Sequence, residues 1–324
     1  MNCIGLNAVQ LDGICSCLPH ISEDNLVRCK EVYGSDAKAL SIVKATGIKS
    51  RRIVEPGVSS LDLCVKAGMS LLGDLGCDVA EIGAVIDVTF TPERPMPCNA
   101  CQVQGRLGLP KDIIAFDINL ACSGWAYGLY VAGMMAKSID KKVLLLDGDT
   151  QTTYMDQSDA ATVPVMADAG TATLISPSIA SKDSWRFAFL TDGNKGDSLM
   201  LPFGGKISMD GLGIFKFVTM DVLYFIRDFM TAEGVTPETL DAFVPHQANI
   251  FMIQQIAKKL RFPVEKLKIS GDVLGNSSSA TVPTTIAYTN ARGRLLVSGF
   301  GGGLSASVGL INISDDCKLK VVDL

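Results

Sequence analysis

The hydrophobic positions of the chain form two kinds of segment, short apolar runs and longer amphipathic ones. The short runs are rich in β-branched and apolar residues, which is typical of buried strands. The predicted strands are Val85–Phe90, Ile113–Leu120, Lys142–Leu146, Thr171–Ile175, Ala242–Pro245, Arg294–Val297 and Ala306–Ile313. The predicted helices, with apolar residues three to four positions apart, are Val58–Asp74, Gly124–Lys137, Phe217–Thr231 and Ala248–Lys259. Their alternation predicts an α/β fold with a largely buried sheet.

One pattern of strands occurs twice. Residues 144–177 and residues 295–313 each pair an apolar strand with a second strand after a glycine-containing turn. A length of 324 residues also allows about two domains. We therefore predict two similar halves, residues 1–176 and 177–324. They are expected to share one core, because no linker rich in Pro, Ser and Gly separates them.

The composition excludes several classes of protein. Hydrophobic residues make up 48% of the chain, so disorder is not expected. The 29 Lys and Arg against 34 Asp and Glu give 29 − 34 = −5, with no long basic run, and we expect no nucleic-acid partner. The irregular spacing of the ten cysteines indicates reduced thiols. The first residues lack a secretory signal, so a cytoplasmic protein is expected.

One uncharged stretch raises the question of a membrane span. Ile118 to Ala136 has nearly the required length, but it contains Asn119, Ser123 and three glycines. We interpret it as a helix packed inside the protein and expect no membrane association.

Cys122 is the first candidate for chemistry. A predicted strand runs into a tight turn at Ala121 and Cys122 and then into an apolar helix, as in a nucleophile elbow. Backbone N–H groups and the dipole at a helix N-terminus favour a thiolate. The alternative is a buried structural cysteine.

His246 and Asn276 are further candidates. His246 follows a strand and precedes an amphipathic helix, so it can project into a cleft or be a structural residue. Asn276 lies in a Gly- and Ser-rich turn, where backbone capping is its alternative role.

Other motifs are incomplete. The glycine run at residues 299–303 matches no phosphate loop or dinucleotide fingerprint. Cys98 and Cys101 have redox spacing, but no second pair follows at a zinc-like interval, and Cys15, Cys17 and His20 form only part of a metal pattern. We expect no metal and no redox cofactor.

Taken together, several motifs along nearly the whole chain resemble the β-ketoacyl-acyl-carrier-protein synthase III family, condensing enzymes with the thiolase fold. The motifs are TGIKSRRI (46–53), CQVQGRLG (101–108), DINLACSG (117–124), VPHQAN (244–249), GNSSSATVP (275–283) and GFGGGLSAS (299–307). The resemblance implies two βαβαβαββ halves around a five-layered αβαβα core and a homodimer. It also implies a catalytic set of Cys, His and Asn, which stand here at Cys122, His246 and Asn276.

The resemblance implies further roles. An acyl thioester, from coenzyme A or a carrier, would acylate Cys122, and malonyl-acyl-carrier protein would supply the second substrate. The backbone N–H groups of Cys122 and Gly302 would form an oxyanion hole. Asn249, Met96 and Phe215 would contact substrate, Met96 in the cavity of the partner subunit. The residues expected to dock an acidic acyl-carrier protein are Lys216, Lys258, Lys259 and Arg261. For the last three, a solvated helix end is the alternative.

The chain also departs from the family pattern. Ser41 and Ala45 stand where a Trp and an Arg for coenzyme A are common, and Phe251 replaces a basic residue used for the carrier. We therefore expect weaker binding of coenzyme A and a carrier protein or other thioester as acyl donor, in fatty-acid initiation or in a specialised pathway. The alternatives to condensation are transfer of an acyl group from Cys122 to an alcohol or amine, and a non-catalytic binding subunit.

Overall fold

The computed structural model of the chain describes residues 1–178 and 184–324, and its elements alternate between strands and helices. The strands in these ranges are β1 (Ile4–Asn7), β2 (Val9–Leu18), β3 (Ile21–Asp24), β4 (Ser50–Ile53), β5 (Ile82–Val88), β6 (Ile114–Ile118), β7 (Lys142–Asp149), β8 (Ala169–Pro177), β9 (Ser184–Thr191), β10 (Leu199–Met200), β11 (Ser208–Met209), β12 (Ala242–Pro245), β13 (Gly293–Gly301), β14 (Ser305–Ile313) and β15 (Lys318–Asp323). The helices are α1 (Asn25–Tyr33), α2 (Asp36–Thr46), α3 (Ser60–Leu75), α4 (Asn99–Arg106), α5 (Gly124–Ile139), α6 (Gly211–Lys216), α7 (Leu223–Ala232), α8 (Ile250–Lys259), α9 (Gly271–Leu274) and α10 (Thr281–Thr289).

Two large mixed sheets form the framework. The six-stranded sheet has the order β15-β2-β8-β7-β5-β6, and the five-stranded sheet has the order β1-β9-β14-β13-β12. The first strand of the chain thus lies in the sheet formed mainly by the second half, and the last strand lies in the sheet of the first half. The predicted division near residue 176 stays a prediction, and these two strands cross it.

Helices fill the space between the sheets and cover their outer faces. Helices α5 and α10 contact strands of both sheets, and their side chains share one core with them. Helices α3 and α4 pack on the outer face of the six-stranded sheet, and α7 and α8 pack outside the five-stranded sheet. The result is five layers in the order αβαβα, as the resemblance implies.

Small residues allow α5 to lie between two sheets. A Cβ atom at Gly133 would lie 2.4 Å from the Leu6 side chain, and one at Gly128 would lie 2.7 Å from Val88. The uncharged stretch from Ile118 to Ala136 therefore contains an internal helix. Among the described residues, no helix combines the length and apolarity that a bilayer crossing requires.

Several predicted boundaries shift for local reasons. The strand predicted to reach Phe90 ends at Val88, because the Phe90 N–H donates to the Asp149 carboxylate instead of a neighbouring strand. Helix α8 begins at Ile250 rather than Ala248, because the Asn249 side chain caps it. The helix predicted over Phe217–Thr231 starts earlier, at Gly211, and contains a π-helical segment, Phe217–Val222, between α6 and α7.

We expect Trp125 in α5 to anchor the central layer. Its side chain is buried, and Nε1 donates to Thr173 Oγ1 at 3.2 Å. Trp125→Ala should lower the free energy of unfolding by about 3–5 kcal/mol, because it leaves a cavity between the sheets. Met134→Ala, on the exposed side of the same helix, should change it by less than about 0.5 kcal/mol. Denaturant unfolding of both variants measures the difference, and equal effects would contradict this role.

Candidate active site

One cavity of about 480 Å³ brings together the three residues singled out in the sequence, Cys122, His246 and Asn276. Asn249 and Gly302 also line it. Apolar side chains supply much of the remaining wall, among them Leu199, Leu201, Ile207, Met209 and Ile214. A mainly apolar cavity with a few convergent polar groups is typical of a small-molecule site.

Cys122 lies on the expected elbow. Strand β6 ends at Ile118, the Gly124 N–H donates to the Ala121 carbonyl at 2.7 Å, and α5 begins at Gly124. Strand β13 passes directly behind this turn. A Cβ atom at Gly301 would lie 2.8 Å from Cys122 Sγ, and one at Gly299 would lie 2.6 Å from the Cys122 carbonyl oxygen. Glycine at both positions is therefore needed for the close approach of β13.

Two opposing effects set the pKa of the Cys122 thiol. Burial raises the pKa of its thiol to about 12, although the Ser278 hydroxyl and the backbone N–H groups of Cys122 and Gly302 lower it. Desolvation disfavours the charged form of a buried thiol more than these donors favour it. Burial thus opposes the thiolate that the helix N-terminus favours, and the net effect on the pKa of Cys122 is upward. The same two backbone N–H groups nevertheless point toward the sulfur.

His246 is held as a neutral imidazole. It follows β12, and burial lowers its pKa to about 3. Nδ1 lies 2.7 Å from Thr281 Oγ1, and the ring meets Phe300 edge-on. The Thr281 hydroxyl can donate to Nδ1 or to the Ser278 carbonyl, which is 2.8 Å away. Donation to Nδ1 places the ring proton on Nε2.

Asn276 is held in place by hydrogen bonds of its backbone and of its side-chain oxygen. Its N–H donates to the Val165 carbonyl at 2.9 Å, and its own carbonyl accepts from the Ala167 N–H at 2.7 Å. Oδ1 accepts from the Ser278 N–H at 3.0 Å. Among the described residues no hydrogen bond uses Nδ2, which leaves this group as a donor for a ligand in the cavity.

The other predicted residues lie at or outside the rim. Asn249 Oδ1 accepts from the Met252 N–H at 3.0 Å, so this side chain both caps α8 and lines the cavity. Phe215 was expected at the substrate, but it is exposed, and its neighbour Ile214 lines the cavity instead. Met96 is 83% exposed and does not line the cavity, so its contact with the cavity of a partner subunit stays a prediction.

The predicted docking cations are all exposed. They are Lys216 at the end of α6, Lys258 and Lys259 in the last turn of α8, and Arg261 beyond it. None of the four forms a salt bridge within the described part of the chain.

Several residues near the site were not identified from the sequence. Thr281 contacts His246, Ser278 contacts Cys122, and Asp149 lies buried behind them. The sequence signal for this buried acidic group was the presence of two acidic residues, Asp147 and Asp149, in an otherwise apolar strand. Cys15 and Cys17 are buried in β2, and in the described ranges no group of three or more His, Cys, Asp or Glu side chains is arranged to hold a metal ion.

Two family models match the chain. The model described as 3-Oxoacyl-[acyl-carrier-protein (ACP)] synthase III matches residues 116–193, and its C-terminal counterpart matches residues 230–313. A relative named beta-ketoacyl-[acyl-carrier-protein] synthase III from Roseiflexus castenholzii is 32% identical over 291 residues, which are 83% of this chain and 88% of the relative.

Solved structures agree with these matches. A crystal structure of 3-oxoacyl-(acyl-carrier protein) synthase from Burkholderia xenovorans LB400 superposes with a TM-score of 0.94 at 29% identity, covering 100% of this chain and 99% of that one. The priming β-ketosynthase from the R1128 polyketide biosynthetic pathway gives a TM-score of 0.87 at 26% identity, covering 96% and 98%. These neighbours confirm the predicted fold class.

The glycine at 301 offers a test of the contact between β13 and the elbow. In Gly301→Ala the new methyl group would collide with Cys122 Cβ and Sγ, both 2.8 Å away. We expect alkylation of Cys122 by iodoacetamide to slow at least tenfold and the free energy of unfolding to fall by about 1–3 kcal/mol. Gly105→Ala in α4 is the matched control, because the new Cβ would meet nothing within 4 Å. It should neither slow the alkylation of Cys122 nor lower the free energy of unfolding. An unchanged alkylation rate in Gly301→Ala would contradict the contact.

Proposed function

We propose that this chain condenses an acyl thioester with malonyl-acyl-carrier protein, because it belongs to the 3-oxoacyl-acyl-carrier-protein synthase III family. The same family is also called β-ketoacyl-acyl-carrier-protein synthase III. The product is a 3-oxoacyl-acyl-carrier protein, formed with loss of CO₂. The observation that carries the proposal is the convergence of Cys122, His246 and Asn276 on one cavity.

The first half-reaction acylates Cys122. Its sulfur attacks the thioester carbonyl, the bond to the donor sulfur breaks, and the acyl group stays on the protein while the donor leaves as a thiol. The backbone N–H groups of Cys122 and Gly302, which act on the Cys122 sulfur, would stabilise the oxyanion that forms in this attack. Apolar side chains along the cavity, such as Leu201 and Met209, suit the acyl chain.

The second half-reaction forms the nucleophile. Loss of CO₂ from the malonyl thioester leaves negative charge on the thioester oxygen. Nε2–H of neutral His246 and Nδ2 of Asn276 can both donate to that oxygen, provided that Thr281 donates to Nδ1. The low pKa of His246 suits this role, because a neutral donor does not attract the departing carboxylate. The carbanion then attacks the acyl carbon on Cys122, and the thiolate is released.

Transfer of the acyl group to an alcohol or amine is the second candidate. It would use Cys122 in the same way but would need no enolate. The retention of a second neutral donor, Asn276, beside His246 favours condensation. A non-catalytic subunit would not need a thiol in the cavity.

Residues of helix α2 favour an acyl donor other than coenzyme A. Its residues Ile42 and Thr46 line the cavity, while Ser41 and Ala45 lie exposed on the same helix. Neither side chain can stack on a purine or pair with a phosphate as the Trp and Arg of the family pattern would. We therefore favour a carrier-bound or other non-coenzyme A thioester as the donor.

The carrier is proposed to dock beside α6 and α8. Gly211 and Ile214 of α6 and the cap residue of α8, Asn249, line the cavity, and the four exposed cations lie farther along these elements. Cations without a salt-bridge partner can pair with the acidic surface of a carrier protein.

A homodimer also belongs to the proposal. Strand β6 is an edge strand of the six-stranded sheet, and its first residue, Ile114, is 44% exposed. Open sheet edges with apolar side chains are normally covered. A partner subunit at this edge would also cover the exposed Met96.

The two half-reactions can be tested separately. We expect intact mass to rise when the protein meets its acyl donor, and this gain to be lost in Cys122→Ala but kept in Cys101→Ala, which removes an exposed thiol. His246→Ala should still be acylated but should release labelled CO₂ from malonyl-acyl-carrier protein roughly 10²–10³-fold more slowly, since one oxyanion donor is lost. Acyl transfer to an acceptor without CO₂ release would favour the second candidate, and no modification of Cys122 by any donor would overturn both.

Charge reversal tests the docking surface. The double variant Lys258→Glu with Lys259→Glu should raise the KM for malonyl-acyl-carrier protein about tenfold and leave the rate with a small malonyl thioester nearly unchanged, because electrostatic docking precedes chemistry. Lys66→Glu, an exposed residue of α3 on the outer face of the six-stranded sheet, is the matched control. Equal effects in both variants would exclude a specific docking face.

A further inference from the structure

Two cysteines outside the active site lie close enough to react with each other. Cys98 Sγ and Cys101 Sγ are 3.4 Å apart. Cys98 is half-buried, and Cys101 is exposed to solvent. Neither residue lines the cavity that contains Cys122. The proposed condensation therefore gives this pair of thiols no role.

The pair stands at the start of a helix that connects two parallel strands. Cys98 is the N-cap residue of α4, and Cys101 lies in the first turn of this helix. Helix α4 joins β5 to β6, which are parallel neighbours in the six-stranded sheet. A Cys-X-X-Cys sequence in such a βαβ unit is typical of a dithiol redox site.

Strand β6 holds the backbone of this turn in place. The N–H groups of Asn99 and Ala100 both donate to the Asp117 carboxylate at 2.8 Å. The Asn99 side chain is buried, and its Oδ1 accepts from the Glu93 N–H at 3.2 Å. The sulfur atoms of a disulfide are about 2.05 Å apart, so the two thiols must approach by roughly 1.4 Å. Small rotations of the two side chains give this approach without moving the anchored turn.

The other cysteines are arranged differently. Five of them are buried and inaccessible to a dissolved oxidant, namely Cys15, Cys17, Cys29, Cys64 and Cys317. Cys122 lies in the cavity wall, and the sulfur of the half-buried Cys77 contacts Lys142 Nζ at 3.8 Å. Within residues 1–178 and 184–324, the contact between Cys98 and Cys101 is the one hydrogen bond that joins two thiols.

We propose that Cys98 and Cys101 form a reversible disulfide by exchange with low-molecular-weight disulfides. The sulfur of the exposed Cys101 attacks one sulfur of the small disulfide, whose S–S bond breaks, and the first thiol leaves with the proton that Cys101 loses. The sulfur of Cys98 then attacks Cys101 in the mixed disulfide, and the second thiol leaves with the proton of Cys98. Two protein thiols are thus oxidised to one disulfide while the small disulfide is reduced to two thiols.

Disulfide mapping in glutathione buffers tests the proposal. The full chain is equilibrated with oxidised and reduced glutathione, the remaining thiols are blocked with iodoacetamide, and the masses of the tryptic peptides are measured. Cys77, Cys98 and Cys101 share the tryptic peptide 67–106, while Cys122 lies in a separate peptide. We expect the shared peptide of the parent protein to lose two hydrogen atoms and to take up one iodoacetamide group instead of three. Treatment with dithiothreitol should reverse this change.

Single substitutions separate the two steps of the exchange. Cys98→Ser removes the thiol that resolves the mixed disulfide, so we expect glutathione on Cys101 at a level about tenfold or more above that in the parent. Cys77→Ser is the matched control, because this thiol has Lys142 Nζ rather than another thiol as its neighbour. Cys77→Ser should form the disulfide as the parent does and leave no free thiol in the oxidised peptide.

Three results would overturn the proposal. The first is a parent peptide that keeps three free thiols in excess oxidised glutathione, and the second is a disulfide that requires Cys77. The third is glutathione on Cys101 at equal levels in the parent and in Cys98→Ser, which would show that the two thiols react independently. The mapping of the parent protein decides the question even if a variant fails to fold. No acyl thioester is used, so failure of acylation at Cys122 would count against the proposed function alone.

Discussion

The close packing of β13 against the turn at Cys122 is the constraint on which the site depends. The glycines of β13 allow a strand to pass against the elbow with no room for a side chain. Burial in and behind this site raises the pKa of Cys122 and of the Asp149 carboxyl and lowers that of His246. One physical effect, desolvation, thus disfavours the charged form of each of these groups.

Much of this arrangement could be predicted from the sequence, because the strongest signals are local. The apolar run at Ala242–Pro245 gave a strand with the observed bounds, and the strand-turn-helix pattern around Cys122 gave the elbow. The pairing of β1 and β15 with distant strands was not predicted, since their partners lie far away in the chain. Periodicity carries no information on such partners.

The electrostatics of the site were the least predictable part. A helix N-terminus favours a thiolate, but burial has the larger effect and raises the pKa of Cys122. The extent of this burial cannot be read from the elbow itself. The burial of Asp149 could not be predicted either, since acidic residues at a strand end usually reach solvent. Strand β5 ends before Phe90 and Thr91, whose N–H groups donate to Asp149 instead of to a neighbouring strand. These hydrogen bonds keep the carboxylate inside the protein.

Strand β1 lies in the five-stranded sheet and β15 in the six-stranded sheet, so each pairs with strands that are distant in the chain. This pairing affects the order in which the two sheets can fold. Strand β1 must wait for β9, and β2 lacks its parallel neighbour until Lys318–Asp323 have been synthesised. During translation the six-stranded sheet therefore exposes an unpaired edge along β2 until the residues of β15 have left the ribosome. Unpaired edges of this kind are sites of aggregation in nascent chains. Because β15 closes the six-stranded sheet, this sheet can be completed only after the five-stranded sheet has been synthesised.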